Sequence, residues 1–142
     1  MLNDTVNQTI IGETNVMSEF EKYKVEAQEK WGNTDAYRQH ADKTKHYSQE
    51  KWNDLAEGMN HIMAEFAVCM KRGESPDSAD TQNLVQMLQN HITENYYLCT
   101  KDILSGLGQM YIADERFKNN IDKHAKGTAA FICEAIEVYC RK

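Results

Sequence analysis

The apolar positions in the second half of the chain recur at three- and four-residue steps. Leu55, Met59, Ile62, Phe66 and Met70 form one such stripe, the spacing that lines one face of an α-helix. Ser48 stands before it as a side-chain cap, with Gln49 and Glu50 in the first turn, and Gly73 closes it. Residues 73–78 (Gly-Glu-Ser-Pro-Asp-Ser) are a loop by composition. A helix from about residue 79 turns Leu84, Leu88, His91 or Ile92, and Tyr96 inward. The next, over 100–112, presents Ile103, Leu104, Leu107, Met110 and Tyr111. Asp114 caps a short helix that continues to about His124, and Gly127-Thr128 breaks the pattern. The last helix directs Phe131, Ile132, Ala135, Ile136 and Tyr139 to the interior. Alternation of the kind a strand needs is missing apart from Thr9-Ile10-Ile11. The pattern predicts an all-α fold of about five to seven helices, with its firm core from residue 49 onward.

The first third reads differently. Residues 1–16 are polar and predict a flexible tail. Ser18, followed by Glu19 and Glu21, starts a helix over 18–30, because acids in a first turn suit the helix dipole. Trp31-Gly32-Asn33-Thr34-Asp35-Ala36-Tyr37-Arg38-Gln39 then makes a corner, where Gly32 ends one helix and Asn33 or Thr34 caps the next, over 35–45. The corner brings Trp31 and Tyr37 near each other. Residues 17–47 carry Tyr23, Trp31, Tyr37 and Tyr47 but no aliphatic stripe. A segment so poor in core residues either orders over a ligand or packs permanently on the body. The organisation expected is a tail (1–16), a helical lid (17–47) and a helical core (48–142).

Composition sharpens this picture. A chain of 142 residues with one proline and seven glycines, rich in Glu, Lys, Gln, Met and Ala, favours helix throughout. A single domain of that size buries about 68–70% of its unfolded surface and needs no staple. The net charge of −6 argues against tracking a phosphate backbone. Arg38, Lys43 and Lys45, diluted by Asp35 and Asp42, read as a solvated helix face. No signal peptide and no apolar run of membrane length is seen, so a cytoplasmic location is expected, with no membrane contact. The four cysteines, Cys69, Cys99, Cys133 and Cys140, show no CxxC pairing and read as buried, unpaired thiols.

Candidate chemistry is sparse. Glu-x-x-His never occurs, and His91-Ile92-Thr93-Glu94 only reverses it. His-Glu-x-x-His and zinc spacings are absent, so no metal and no cofactor is expected. His61 and His91, on consecutive helices of an all-α chain of globin size, leave a haem pocket open, although charges interrupt the wall beside His91. No nucleophile elbow or glycine-rich phosphate loop is found, and no enzyme is expected. Ser105, Gly106 and Gly108 interrupt a helix where each glycine costs about 1 kcal/mol relative to alanine. Either a neighbouring backbone lies close there or a ligand does. The aromatic residues suit flat heteroaromatic or peptidic molecules, or simply an aromatic core.

Two long stretches go further. Trp31 to Tyr37, then Lys43-Thr44, Tyr47-Ser48, Glu50 and Trp52, together with Gly108-Gln109-Met110-Tyr111-Ile112-Ala113-Asp114-Glu115-Arg116-Phe117 and Asn120-Ile121-Asp122, closely resemble the TipAS antibiotic-recognition domain of MerR-family drug-sensing regulators. The likeness covers about residues 20–140. It implies a globin-like bundle with a deep cleft, binding of thiopeptide or other bulky, rigid antibiotics, and an N-terminal part that is mobile until it closes over the drug. A full-length regulator of this type carries a DNA-binding domain and a dimerising coiled coil, neither of which is found in this sequence. The chain is therefore expected to be a monomeric sensor or sequestering form, or an excised fragment, with no nucleic-acid contact of its own.

The ligand-binding residues that the resemblance implies are Trp31, Asp35, Tyr37, Arg38, Tyr47, Trp52, Asn95, Tyr96, Cys99, Ser105, Tyr111 and Phe117. Aromatics would stack on heterocycles, and Asp35, Arg38 and Asn95 would bond amides. In thiopeptide-binding relatives a cysteine near the Gly-x-Met-Tyr motif adds to a dehydroalanine of the drug. Alignment on Asn95 to Cys99 and on Met110-Tyr111 puts Ser105 there. A hydroxyl without a base is a poor nucleophile, so binding is expected to be non-covalent, with no catalytic residue. The competing expectations are a haem- or metal-binding globin-like sensor, and a dimerising protein-interaction domain.

Overall fold

The computed structural model describes residues 34–142. The expected tail, the helix over 18–30 and the Trp31-Gly32-Asn33 part of the corner, including the approach of Trp31 to Tyr37, lie outside the described residues. Six helices follow: α1 (Asp35–Thr44), α2 (Gln49–Lys71), α3 (Ala79–Asn95), α4 (Lys101–Ala113), α5 (Glu115–Asp122) and α6 (Thr128–Cys140). No strand occurs among the described residues. The chain divides after Arg38, so residues 34–38 belong to an N-terminal unit and residues 39–142 form a second one.

Local chemistry sets most helix starts. A helix leaves its first N–H groups without partners, and a side-chain oxygen at the cap accepts from one of them. Thr34 Oγ1 accepts from Tyr37 N at 3.1 Å, Ser48 from Lys51 N at 3.1 Å, and Ser78 from Thr81 N at 3.2 Å. Thr100 and Asp114 serve α4 and α5 in the same way, accepting from Ile103 N at 3.2 Å and Arg116 N at 2.9 Å. The exception is α6. Its cap is Gly127 at φ +93°, a left-handed turn that glycine adopts without strain. Glycine offers no acceptor, and Asp122 Oδ1 from the end of α5 takes the Ala129 N–H at 2.9 Å instead.

The centre of the second unit is α6, which packs against α2, α3, α4 and α5. Thr128, Ala129, Phe131, Ile132, Cys133, Ala135 and Ile136 are all buried. Its small residues admit close neighbours, and α4 answers with Gly108. A Cβ added there would lie 3.3 Å from Ile136 Cδ1 and 3.4 Å from Ile136 Cβ. The two interrupting glycines therefore separate: Gly108 permits helix–helix approach, whereas a Cβ at Gly106 would meet nothing within 4 Å.

The predicted stripes are right in kind and slightly rotated in detail. Leu55, Ile62 and Phe66 are buried as expected, joined by Met63, Ala67 and Cys69, while Met59 and Met70 are only partly buried. In α3, Ile92 takes the core position and His91 lies beside it. Tyr139 reaches only the rim of the core. The expectation that all four thiols are buried fails at Cys140, which sits half-exposed in the last turn of α6 and donates to the Lys101 carbonyl at 3.3 Å. Buried Gln82 was not anticipated: its Nε2 donates to Pro76 O at 2.8 Å and Ala135 O at 3.0 Å, tying the 73–78 loop to α6.

Candidate functional site

Where α3 ends, the backbone leaves helical geometry at Tyr96 (φ −125°, ψ −57°). The tyrosine ring there becomes the middle of an aromatic group. Trp52 of α2 stacks on it with centroids 6.2 Å apart and planes 30° apart. Tyr47, just ahead of α2, meets Trp52 edge-on at 5.4 Å. Its hydroxyl donates to the Asn95 carbonyl at 2.5 Å. Such offset and edge-to-face pairs add to the area they bury. Burial raises the Tyr96 hydroxyl above its ordinary pKa, with neighbouring Tyr47 adding to the rise. Lys51 places its ammonium 5.4 Å from the Tyr47 ring centre.

The later part of α1 is fastened to this group. His40 lies almost parallel to Tyr96, 5.6 Å away with 8° between planes, and within 6.5 Å of Trp52 and 6.3 Å of Tyr97. Lys43 Nζ donates to the Thr93 carbonyl at 3.0 Å, so it is not the wholly solvated lysine the sequence predicts. Gln39 Oε1 accepts from Leu98 N at 2.8 Å. Gln39, Asp42 and Lys43 line a surface depression of ≈ 370 Å³. In the first turn of α1, Asp35 and Arg38 pair with each other and are both well exposed.

Below the platform, His91 meets Tyr96 edge-on at 6.1 Å. Its ring occupies the space beside Gly58 of α2, where an added Cβ would lie 3.1 Å from His91 Cε1. Burial lowers its pKa below the ordinary value, and the Leu55 carbonyl, as hydrogen-bond acceptor, offsets part of that. Its Nε2 is buried and has no hydrogen-bond partner among the described residues. His61, the other histidine of the haem expectation, is exposed on α2. Among the described residues no three His, Cys, Asp or Glu side chains converge as a metal site would require.

A second aromatic pair spans the α4–α5 corner. Buried Tyr111 and half-buried Phe117 lie 6.0 Å apart. Asp114 fixes that corner by accepting from Arg116 Nε at 3.0 Å and Nη2 at 2.7 Å, and the guanidinium holds its carboxyl below the usual range. Ser105 is half-buried on α4. Cys99 is buried, with its N–H donating to Thr93 Oγ1 at 3.1 Å and its carbonyl accepting from Gln89 Nε2 at 2.9 Å. Burial pushes the Cys99 thiol to about 11. It also raises Cys69, Cys133 and Cys140, each by desolvation first.

Of the residues expected to bind ligand, the structure brings Tyr47, Trp52, Asn95 and Tyr96 together, and pairs Tyr111 with Phe117. Asp35, Tyr37 and Arg38 lie in the first turn of α1, and Trp31 is outside the described residues. The Asn95 amide already donates to the His91 carbonyl at 2.9 Å. His40, His91 and Gly58 complete the platform and were missed. His91 has a sequence signal only as a candidate haem ligand paired with His61, and His40 and Gly58 have none.

The TipAS antibiotic-recognition domain matches residues 23–139. The chain belongs to this family. Two relatives, each an HTH-type transcriptional activator TipA, from Streptomyces coelicolor and Streptomyces lividans, are each 37% identical over 116 residues, 82% of this chain and 46% of theirs. The HTH-type transcriptional activator mta of Bacillus subtilis is 41% identical over 98 residues, 69% of this chain and 37% of its own. The chain thus spans about half the length, or less, of the curated relatives it matches. Among solved structures, TipAS of Streptomyces lividans in complex with nosiheptide superposes with a TM-score of 0.78 at 36% identity, covering 85% of both chains. The antibiotic-binding domain of a TipA-class multidrug resistance regulator gives 0.58 at 30% identity, over 61% of this chain and 93% of that one. The all-α TipAS fold is therefore established by sequence and by structure together.

Proposed function

We propose that this TipAS-family chain is a ligand sensor that binds bulky, rigid antibiotics of the thiopeptide class, or comparable peptidic and heteroaromatic compounds, reversibly and without chemical turnover. The observation that carries this reading is the Tyr47–Trp52–Tyr96 ring group on a fold shared with a drug-bound relative. Aromatic faces with polar tips stack on flat heterocycles and still satisfy their own hydroxyls. The ligand contacts proposed are Tyr47, Trp52, Asn95, Tyr96, Cys99, Ser105, Tyr111 and Phe117. The sequence motif alone adds Trp31, Asp35, Tyr37 and Arg38, on a segment (17–47) that acts as a lid.

Reversibility follows from the thiols. Cys99 stays protonated at neutral pH because its pKa is raised to about 11, and a thiol so held is a poor nucleophile. Serine at position 105 does not replace it. No helix among the described residues is long and apolar enough to cross a membrane. A cytoplasmic sensor suits that, working without a cofactor, reaching DNA only through another domain, or sequestering drug where none is attached.

Calorimetry and thermal unfolding with nosiheptide and a panel of thiopeptides test the reading. At 100 times the dissociation constant a bound drug adds about 2.7 kcal/mol to stability. A raised melting temperature, saturable one-to-one binding and an unchanged intact mass are expected. No stabilisation by any member of the panel would overturn the assignment.

A further inference from the structure

Tyr96 has a histidine on two sides. His40 of α1 lies parallel to its face at 5.6 Å, and His91 of α3 meets it edge-on at 6.1 Å. The two contacts differ in kind. His40 is half-exposed on α1, whereas the His91 ring is wedged beside the backbone of α2, where Gly58 leaves room for it. A second proton on that ring would give the buried Nε2 a hydrogen to donate and no acceptor among the described residues. An unpaired buried donor costs about 1–3 kcal/mol, and more when the group is charged.

We infer that His91 is a pH-sensitive support for the Tyr96 platform, and that its protonation loosens the attachment of residues 39–47 to α3. The charged ring must swing away from Gly58 or draw in water. Either movement removes the edge on which Tyr96 rests, and Tyr96 carries the stacked His40. From α2, Lys51 opposes a positive charge and the Leu55 carbonyl favours one; from α3 itself, Glu94 favours one. From α1, His40 stacks on Tyr96, the ring that His91 also meets. Burial pushes the Tyr96 hydroxyl up, so it is a neutral phenol in this range. Burial outweighs the favourable contributions, so the folded chain holds His91 neutral below the point at which a free histidine charges.

The direction follows from that. The folded state binds fewer protons than the unfolded one, so the stabilisation is complete above about pH 6.5 and is lost as pH falls through the lower folded value. If the ligand-binding reading holds, acid also weakens drug binding; that consequence rests on the reading, while the switch itself is tested without drug and stands or falls separately.

The test is amide hydrogen exchange of the whole chain without ligand, corrected for the intrinsic pH dependence, between about pH 7.5 and about pH 5. Opening of residues 39–47 is expected to become about tenfold more frequent at the acid end, while the amides of α6 hold. His91→Gln, neutral throughout, should abolish the step, and His40→Phe, which keeps a ring on Tyr96, should retain it. In the unaltered chain the His91 Cε1 proton, followed by NMR, should titrate below the ordinary histidine value, with a midpoint matching the exchange step, so the idea does not depend on a variant folding. A step that survives in His91→Gln, a step lost in His40→Phe, or a His91 titration at or above the ordinary value would each overturn it.

Discussion

The Tyr47 hydroxyl donates to the Asn95 carbonyl at 2.5 Å, joining the connector ahead of α2 to the last turn of α3. The carbonyls of a final helical turn lack intrahelical partners, and this phenol supplies one from 48 residues away in sequence. With Lys43 on the Thr93 carbonyl, it pins residues 39–47 to one end of α3.

Tyr47→Phe keeps the edge contact with Trp52 and removes only that bond. A neutral hydrogen bond contributes about 1 kcal/mol net, so opening of residues 39–47 should become about fivefold more frequent. Exchange measured by mass spectrometry checks it. If α6 changed as much as residues 39–47, the bond would belong to the global fold rather than to this attachment.

What was legible in the sequence was local. Ser48 and Asp114 could be assigned as caps because a cap and its N–H lie within three residues of each other. The helix types followed from a spacing that any neighbour would read alike. The exact rotation of a stripe is a different matter. Met63 and Cys69 enter the core of α2 while Met59 and Met70 stay at its margin, because α3 and α6 both pack against that helix. His40 and His91 were illegible for the same reason. A histidine stacked on a tyrosine 56 residues later has no local signature, and Gly58 explains itself only once the ring beside it is seen. Of the expected site, the motif residues near Tyr47 and Trp52 were named through family likeness, not through periodicity.

Gly106 and Gly108 should respond in opposite ways. Alanine at Gly106 meets open space and removes the backbone freedom of a helical glycine, so stability should rise by about 0.5–1 kcal/mol. Valine at Gly108 drives a branched side chain into Ile136, and overpacking of that kind costs about 1–3 kcal/mol. Urea denaturation of the two single variants tests both signs. Equal effects would refute the view that only Gly108 serves helix approach.

Asp122 caps a helix that is not its own. Because Gly127 offers no side chain, the Ala129 N–H depends on the Asp122 carboxylate at 2.9 Å. Asp122→Ala should lower stability by about 1 kcal/mol, the usual effect of losing a cap. Asp122→Asn retains the acceptor and should recover most of that loss. Thermal unfolding of the pair distinguishes a capping role from the ion pair with Lys118, which Asp122→Asn also removes.

Ser105→Cys is the sharpest test of the site's chemistry. Ser105 is half-buried on α4, whereas Cys99, the neighbouring native thiol, is buried with a pKa of about 11. At neutral pH fewer than about one Cys99 in a thousand is ionised, and the thiolate is the nucleophile. On the proposed reading, a thiopeptide bound beside α4 would present a dehydroalanine alkene to position 105. A thiolate at position 105 adds across it, forming a sulfur–carbon bond while a proton from solvent goes to the adjacent carbon, with nothing released. The adduct mass should therefore equal protein plus drug. The native chain should show no adduct under the same conditions, and Cys99→Ser in the Ser105→Cys background should leave the adduct intact. If drug binds Ser105→Cys reversibly with no mass change, position 105 does not face the reactive end of the ligand and the alignment at that position is wrong.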